Sequence, residues 1–183
     1  SNLFFQLYIP TRLSKKKITI FTKKAKRSLS KIFAQIEGPN KFFVHRDFHV
    51  SNLMDYKNKV GVIDSQDALM GNNAYDILSL IDDVRIKTSS KLKKQIFNYY
   101  IFKASKKLTI NLKALKNDFD ILSVQRSLKI IGIFYRLYLR DGKKKYLSFI
   151  PYTWSLLHLR LKNPIFGEFN KILNDYLPAN NRK

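Results

Sequence analysis

The sequence of 183 residues contains no cysteine. A disulfide framework, a thiolate nucleophile and a thiolate metal site are therefore excluded, and the reducing cytoplasm is the simplest location. Long apolar runs are also missing. The longest, residues 128–139, is interrupted by Lys129 and Arg136 and is too short to cross a bilayer. We therefore expect no membrane-spanning segment and no membrane partner.

Acidic residues are scarce as well: 13 Asp and Glu stand against 35 Lys and Arg, which gives a formal net charge of +22. Such an excess is typical of proteins that bind nucleic acids. Here, however, the lysines occur in small groups between apolar residues, which is the pattern of solvated helix faces and turns. These groups are residues 15–17, 23–27, 91–94 and 143–145. The hypothesis that the chain is a basic nucleic-acid-binding module is kept as the less favoured alternative.

The apolar spacing predicts a mostly helical chain with one small β-hairpin. Residues 28–36 have helical spacing and are followed by a glycine-proline breaker pair. The apolar run at 42–44 predicts a buried strand, and residues 53–56 and 60–63 predict a hairpin around a Lys-Asn-Lys turn. Further helices are predicted at residues 75–81, 92–108, 119–139 (ended by Gly142), 154–161 and 169–177. The length suits a single α+β domain with its own hydrophobic core.

Polar side chains that suit phosphoryl transfer occur in the loops beside these strands. They are His45, Asp47, His49, Asn52, Asp64 and Asp67. Phosphoryl transfer requires a carboxylate that orients the attacking hydroxyl and accepts its proton, together with oxygen ligands for Mg²⁺ on the nucleotide phosphates. Asp47, Asn52 and Asp64 supply these groups, because Mg²⁺ prefers carboxylate and amide oxygens.

The spacing of these residues is more specific than their chemistry. Residues 45–52 have the form H-x-D-x-x-x-x-N, and Asp64 follows at the end of the predicted hairpin. In these residues the sequence resembles the aminoglycoside phosphotransferase and choline kinase family. The resemblance extends over residues 61–68, 71–80, 125–134 and 140–143. The later blocks are most similar to bacterial kinases that phosphorylate the anomeric hydroxyl of N-acetylmuramate and N-acetylglucosamine during cell-wall recycling.

The resemblance implies a protein-kinase-like C-terminal lobe whose small hairpin carries the catalytic and metal loops. It implies an ATP-dependent and Mg²⁺-dependent phosphotransferase that acts on a hydroxyl of a small molecule, with an amino sugar as the expected acceptor. By this resemblance Asp47 is the catalytic base. Asn52 and Asp64 bind the metal and, through it, the nucleotide. His45 and Asp76 are implied to support the loop structurally.

Members of the family begin with a smaller ATP-binding lobe, which bears a phosphate-covering loop and a lysine that contacts the phosphates. Neither feature is found in this sequence, because its six glycines do not cluster ahead of His45 and the preceding lysines lie in helical or polar context. The sequence also does not begin with Met. We therefore expect residues 1–183 to be the C-terminal lobe alone, and we expect this chain by itself to be inactive.

Most of the candidate residues also have a structural explanation. Asn52 alternatively forms an Asx turn, and Asp64 alternatively caps the end of the hairpin. Asp67 either approaches a second metal or caps the next helix. His49 either faces the sugar substrate or is a hydrogen-bonding spacer. Ser65 stands where the family usually has an aromatic residue, which predicts altered packing rather than lost metal binding.

Two further questions stay open at the level of sequence. A truncated or degenerate kinase lobe without catalytic activity is the second functional hypothesis. The nucleotide is either ATP or GTP, because the lobe that would recognise the base is not in this sequence. The aromatic residues at helical spacing, among them Trp154, are expected to lie in the hydrophobic core rather than to stack on a sugar.

Overall fold

The structure is a computed structural model that describes residues 2–182. The chain divides into two units. Residues 1–36 together with 124–183 form the first, which we call the helical unit, and residues 37–123 form the second, the strand unit. No helix within residues 2–182 has the length and apolar content required to cross a membrane.

Six α-helices and four strands lie within residues 2–182. In chain order they are α1 (Lys15–Phe33), β1 (Phe42–Val44), β2 (Leu53–Tyr56), β3 (Lys59–Val62), β4 (Leu69–Gly71), α2 (Ala74–Ile81), α3 (Ser90–Ala104), α4 (Leu112–Asp141), α5 (Ile150–Arg160) and α6 (Gly167–Tyr176). A π-helical turn covers Phe4–Tyr8, and 3-10 turns cover Ile9–Thr11, Val50–Asn52, Lys144–Phe149, Pro164–Phe166 and Ala179–Asn181. The predicted α+β class, mostly helical with small antiparallel sheets, is confirmed.

Helix α1 of the helical unit is much longer than the sequence predicted. It begins at Lys15 and ends at Phe33, whereas helical spacing was recognised only over residues 28–36. The buried side of its first half consists of Phe21 and Ala25, four residues apart. Lysines surround these two residues in the sequence, so the apolar spacing is weak there. The buried side of α1 packs against α6.

Aromatic side chains fill the core of the helical unit. The ring of Tyr8 stacks on Phe4 at 5.2 Å between centroids and meets Tyr135 edge-on at 4.9 Å. Trp154 lies 5.9 Å from Tyr8 and is only 3% exposed. Arg12 lies over the Tyr8 ring and donates to the Tyr135 hydroxyl at 2.6 Å. The expectation that Trp154 belongs to the core is confirmed.

Helix α4 ends as the sequence predicted. Gly142 follows it with a positive φ of 66°. Its N–H donates to the Tyr138 carbonyl, and the Lys143 N–H reaches back to the Leu137 carbonyl, each at 3.1 Å. This pair of bonds satisfies carbonyls at the helix end, and the conformation is one that glycine adopts without strain.

The strand unit contains two separate two-stranded antiparallel sheets. One is the predicted hairpin, β2 with β3, whose turn residues Lys57 and Asn58 have φ of 50° and 60°. Two consecutive positive φ values are typical of a type I′ turn, whose twist suits a tight hairpin. The other sheet pairs β1 with β4, which the sequence did not indicate. The expectation that β1 is buried is right for Val44, at 3% exposed, and wrong for Phe43, at 68% exposed.

A buried carboxylate fixes the chain ahead of β1. Asp118 of α4 is 1% exposed and accepts the backbone N–H groups of Glu37 and Gly38 at 3.0 and 2.7 Å. It also accepts the side-chain amide of Asn72 at 2.7 Å. Three donors compensate the cost of burying this charge. The segment that enters β1 is therefore held against α4.

Candidate functional site

Two polar loops of the strand unit meet beside the hairpin. Residues 45–52 follow β1, and residues 63–67 follow β3. The imidazole Nε2 of His45 lies 3.0 Å from the carbonyl oxygen of Ile63. The Ile63 N–H in turn donates to the carbonyl oxygen of Asn52 at 3.1 Å. Because the second loop begins at Ile63, these two hydrogen bonds fix where it starts relative to the first.

The side chain of Asn52 connects the predicted site residues. It is 8% exposed, and its amide nitrogen donates to the backbone carbonyl of Asp47 at 3.0 Å and to Oδ2 of Asp64 at 3.4 Å. Both bonds use the nitrogen, which leaves Oδ1 as the atom suited to a cation. Asp64 is exposed, and its other oxygen accepts the side-chain amide of Gln66 at 2.6 Å. The fold thus brings Asn52 beside both Asp47 and Asp64.

Two residues of these loops have unusual backbone conformations. Arg46 has φ of 72° and Asp64 has φ of 69°. Positive φ values are unfavourable for residues other than glycine, and they persist where the surrounding structure enforces them, often at functional sites. Asp64 takes this conformation immediately after Ile63, whose backbone is held at both its N–H and its carbonyl group. The bend therefore sets the direction of the Asp64 carboxylate.

The carboxylate of Asp76, in the first turn of α2, holds the start of the 45–52 loop. It accepts the backbone N–H groups of His45 at 2.7 Å and Arg46 at 3.0 Å, one on each oxygen.

Near Asp76, the hydroxyl group of Tyr100 donates to the carbonyl of Asn73 at 3.0 Å. Burial raises the pKa of Tyr100, and the Asp76 charge adds to this effect. Tyr100 is therefore a neutral donor at physiological pH.

The remaining predicted residues differ in exposure. Asp47 is half-buried, and its carbonyl accepts the N–H of His49 at 3.0 Å as well as the Asn52 side chain. His49 is only 7% exposed, and its two alternative roles stay predictions. Asp67 is exposed, and its carbonyl accepts Arg46 Nη1 at 3.1 Å. The segment after Asp67 enters β4 rather than a helix, so the alternative that Asp67 caps a helix is wrong.

One contact with the 45–52 loop was missed by the sequence reasoning. The buried carboxylate of Asp83, just beyond α2, accepts the backbone N–H of Val50 at 3.3 Å. In the sequence, Asp82 and Asp83 look like ordinary polar residues at the end of a helix. The only signal was their position directly after an apolar helical segment, which does not reveal what they contact.

The donor atoms suit Mg²⁺ in the presence of a nucleotide. Within residues 2–182 there is no group of three or more His, Cys, Asp and Glu side chains able to hold a metal by themselves. Mg²⁺ instead commonly takes one or two protein oxygen ligands and completes its shell with phosphates and water. Asn52 and Asp64, whose side chains are in contact, offer an amide oxygen and a carboxylate. This pair fits such a metal-nucleotide site.

Residues 19–108 match the model of the phosphotransferase enzyme family. This match confirms the resemblance to that family seen in the sequence. The matched range contains both polar loops, the hairpin and Asp76.

Several curated relatives carry the name N-acetylmuramate/N-acetylglucosamine kinase. The protein of Caulobacter vibrioides is 30% identical over 157 residues, which cover 83% of this chain and 42% of the relative. The protein of Neisseria meningitidis serogroup B is 42% identical over 114 residues, which cover 61% of this chain and 34% of the relative. The protein of Pseudomonas aeruginosa is 36% identical over 143 residues, which cover 75% of this chain and 42% of the relative. The matches therefore span well under half the length of these relatives.

Proposed function

We propose that this chain is the metal-binding and acceptor-binding portion of an ATP-dependent phosphotransferase that acts on a hydroxyl group of an amino sugar. The relatives support the acceptor, because their names specify N-acetylmuramate and N-acetylglucosamine. Their greater length supports a second, nucleotide-holding lobe in the complete protein. A cytoplasmic location is part of the proposal, since the reaction needs ATP and the chain has no cysteine.

The arrangement around Asn52 carries this proposal. One amide nitrogen bonds both the Asp47 backbone and the Asp64 carboxylate, at 3.0 and 3.4 Å. The three predicted residues are thus tied together although Asp64 is twelve positions beyond Asn52. A base and a metal-nucleotide site must be adjacent for a hydroxyl to attack the terminal phosphate in line.

Each of the three side chains has a separate task in the proposed reaction. The Asp47 carboxylate accepts a hydrogen bond from the acceptor hydroxyl and orients its oxygen toward the terminal phosphorus. It takes up the hydroxyl proton as the new O–P bond forms and the bond from that phosphorus to the bridging oxygen breaks, which releases the nucleoside diphosphate. Asn52 Oδ1 and the Asp64 carboxylate would hold Mg²⁺. When bound, the metal neutralises charge on the phosphates of the nucleotide. The His45 imidazole and the Asp76 carboxylate form hydrogen bonds with backbone groups of these loops, which fits a supporting task.

The acceptor is tested with the full-length gene product. N-acetylmuramate and N-acetylglucosamine are offered beside choline and an aminoglycoside, each with ATP and with GTP, and release of the nucleoside diphosphate is measured. We expect transfer to the amino sugars only. Transfer to choline or the aminoglycoside alone would overturn the acceptor assignment. Failure with all acceptors and both nucleotides would favour a lobe without catalytic activity.

The role of Asp47 is tested by Asp47→Asn in the same protein. Removing a general base lowers kcat by about 10²–10⁴-fold, and the Asn side chain has nearly the same size, so the fold is kept. Asp55→Asn is the matched control, because Asp55 lies exposed on β2 and has no task in the proposed reaction. Wild-type turnover by Asp47→Asn would remove Asp47 from the mechanism.

A further inference from the structure

Two consecutive aspartates are buried where α2 ends. Asp82 is 2% exposed and Asp83 is 1% exposed. An ionised carboxylate is costly to bury unless donors surround it. The hydrogen-bond donors around Asp82 and Asp83 therefore indicate which parts of the chain each carboxylate holds. The two residues have different donors.

Asp82 contacts the helices of the strand unit. Its Oδ1 atom accepts the Lys93 ammonium of α3 at 2.8 Å, and its Oδ2 atom accepts the Ser123 hydroxyl of α4 at 2.7 Å. Lys93 also donates to the Ile81 carbonyl at 2.7 Å. These bonds hold the end of α2 against the helices that follow it in the chain.

Asp83 contacts the 45–52 loop instead. Its Oδ2 atom accepts the Val50 N–H at 3.3 Å, and its Oδ1 atom accepts the backbone N–H of Arg85 at 3.0 Å and the Arg85 guanidinium at 3.4 Å. Val50 is the first residue of the 3-10 turn Val50–Asn52. The carboxylate thus holds the beginning of the turn whose last residue is Asn52.

We propose that Asp83 is a positioning residue for the candidate site, acting through Val50 to fix the orientation of the Asn52 side chain toward Asp64. This inference rests on the proposed function, because it assigns Asn52 to the metal. A turn of three residues is too short to absorb movement at its first position without moving its last.

The proposal predicts different effects of two similar substitutions in the full-length protein. Asp83→Asn keeps the size of the side chain but leaves it one acceptor oxygen, so Val50 or Arg85 loses its bond. Loss of a residue that orients a metal ligand typically weakens metal affinity by about 10–100-fold. We expect this loss for Mn²⁺ binding in the presence of ADP, measured by electron paramagnetic resonance. Asp82→Asn, the control with similar burial, is expected to change Mn²⁺ affinity by less than about twofold, because the bonds of its carboxylate to Lys93 and Ser123 hold helices α3 and α4.

Hydrogen exchange followed by mass spectrometry supplies a second measurement that does not depend on metal. We expect Asp83→Asn to speed exchange in the peptide that covers residues 48–55, and Asp82→Asn to leave this peptide unchanged. Val50→Pro removes the donor instead of the acceptor. Proline suits the first position of a turn that follows an extended residue, and His49 has φ of −137° and ψ of 166°. This variant is expected to weaken Mn²⁺ binding as Asp83→Asn does, which also covers the case that Asp83→Asn does not fold.

The outcomes separate this inference from the proposed function. Equal losses of Mn²⁺ affinity in the Asp82 and Asp83 variants, or none in Asp83→Asn and Val50→Pro, would overturn the positioning role. A wild-type protein that binds Mn²⁺ with ADP but transfers no phosphate would overturn the proposed function alone. A wild-type protein that binds no Mn²⁺ with ADP would overturn both.

Discussion

Asp76 holds Arg46 in an unfavourable backbone conformation. Arg46 has φ of 72°, and its N–H donates to Oδ1 of Asp76 at 3.0 Å, while the preceding N–H of His45 donates to Oδ2 at 2.7 Å. A non-glycine residue with positive φ costs on the order of 1–3 kcal/mol. Two hydrogen bonds to a charged acceptor, worth about 1.5–3 kcal/mol each, offset this cost. The direction in which the 45–52 loop leaves β1 therefore depends on a carboxylate from α2.

Asp76→Asn is expected to lower both stability and turnover. The Asn side chain offers one oxygen where two N–H groups need acceptors, so the free energy of unfolding should fall by about 1–3 kcal/mol. In the full-length protein kcat should fall by about 10²-fold, because displacing Asp47 by about 1 Å has an effect of that size. Urea unfolding and steady-state kinetics measure the two effects.

Asp118→Asn is the matched control for Asp76→Asn. Asp118 also accepts two consecutive backbone N–H groups, those of Glu37 and Gly38, but ahead of β1 and not in the loop that follows it. The Asp118→Asn variant should lose about as much free energy of unfolding as Asp76→Asn and keep kcat within about twofold of the wild-type value. If both variants lowered kcat equally, the effect of Asp76 would be one of general stability.

Gly142 is expected to be needed for its backbone conformation alone. A Cβ atom at Gly142 would have no neighbour within 4 Å, yet φ there is 66°. Gly142→Ala should therefore lower the free energy of unfolding by about 1 kcal/mol. Gly167 also has open space around it but has φ of −51°, so Gly167→Ala should be neutral or stabilise by up to about 1 kcal/mol. A stabilising Gly142→Ala would contradict this explanation of where α4 ends.

Gly38 is expected to be required because there is no room for a larger side chain at this position. A Cβ atom there would lie 2.5 Å from Oδ2 of Asp118 and 2.6 Å from the amide nitrogen of Asn72. Gly38→Ala should destabilise the protein by about 1–3 kcal/mol, as overpacking commonly does. At Gly61 of β3 the nearest atom would be the Met54 carbonyl oxygen at 3.7 Å, so Gly61→Ala should have little effect. Chemical denaturation measures the free energy of unfolding of both variants. Equal losses in the two variants would refute the explanation that Gly38 is required for space.

His158 is expected to make the protein less stable in acid. Burial lowers the pKa of His158 from 6.5, and the nearby Arg182 charge lowers it further. Its Nε2 atom is hydrogen-bonded to the Arg182 guanidinium, which requires a neutral imidazole. Because the unfolded chain binds this proton more readily than the folded one, stability should fall as the pH drops below about 6.5 toward the lowered folded-state pKa.

The measurement for His158 compares unfolding of the wild type and His158→Gln between pH 7.5 and pH 5. The variant cannot take up this proton, so its stability should depend less on pH in that range. The difference between the two proteins should be constant above about pH 7 and change below it. Identical slopes in the two proteins would show that His158 does not contribute.

Local spacing in the sequence determined a large part of this protein. The hairpin, the helices α2, α3, α5 and α6 and the end of α4 at Gly142 lie close to their predicted positions. These features depend on neighbouring residues, through turn conformation and apolar periodicity, and so leave a signal in the sequence. The pattern from His45 to Asn52, followed by Asp64, indicated the phosphotransferase family for the same reason. The catalytic and metal roles of its residues remain predictions.

Tertiary structure alone decided the contacts that hold the site. The pairing of β1 with β4, the position of Asp118 beneath Gly38 and the bond from Asp83 to Val50 join residues that are far apart in the sequence. Such contacts leave no periodic signal, because any buried carboxylate near any exposed N–H group would look the same in a sequence. The sequence thus indicated which residues are candidates for the chemistry, and the packing of α2 and α4 decided how those residues are held.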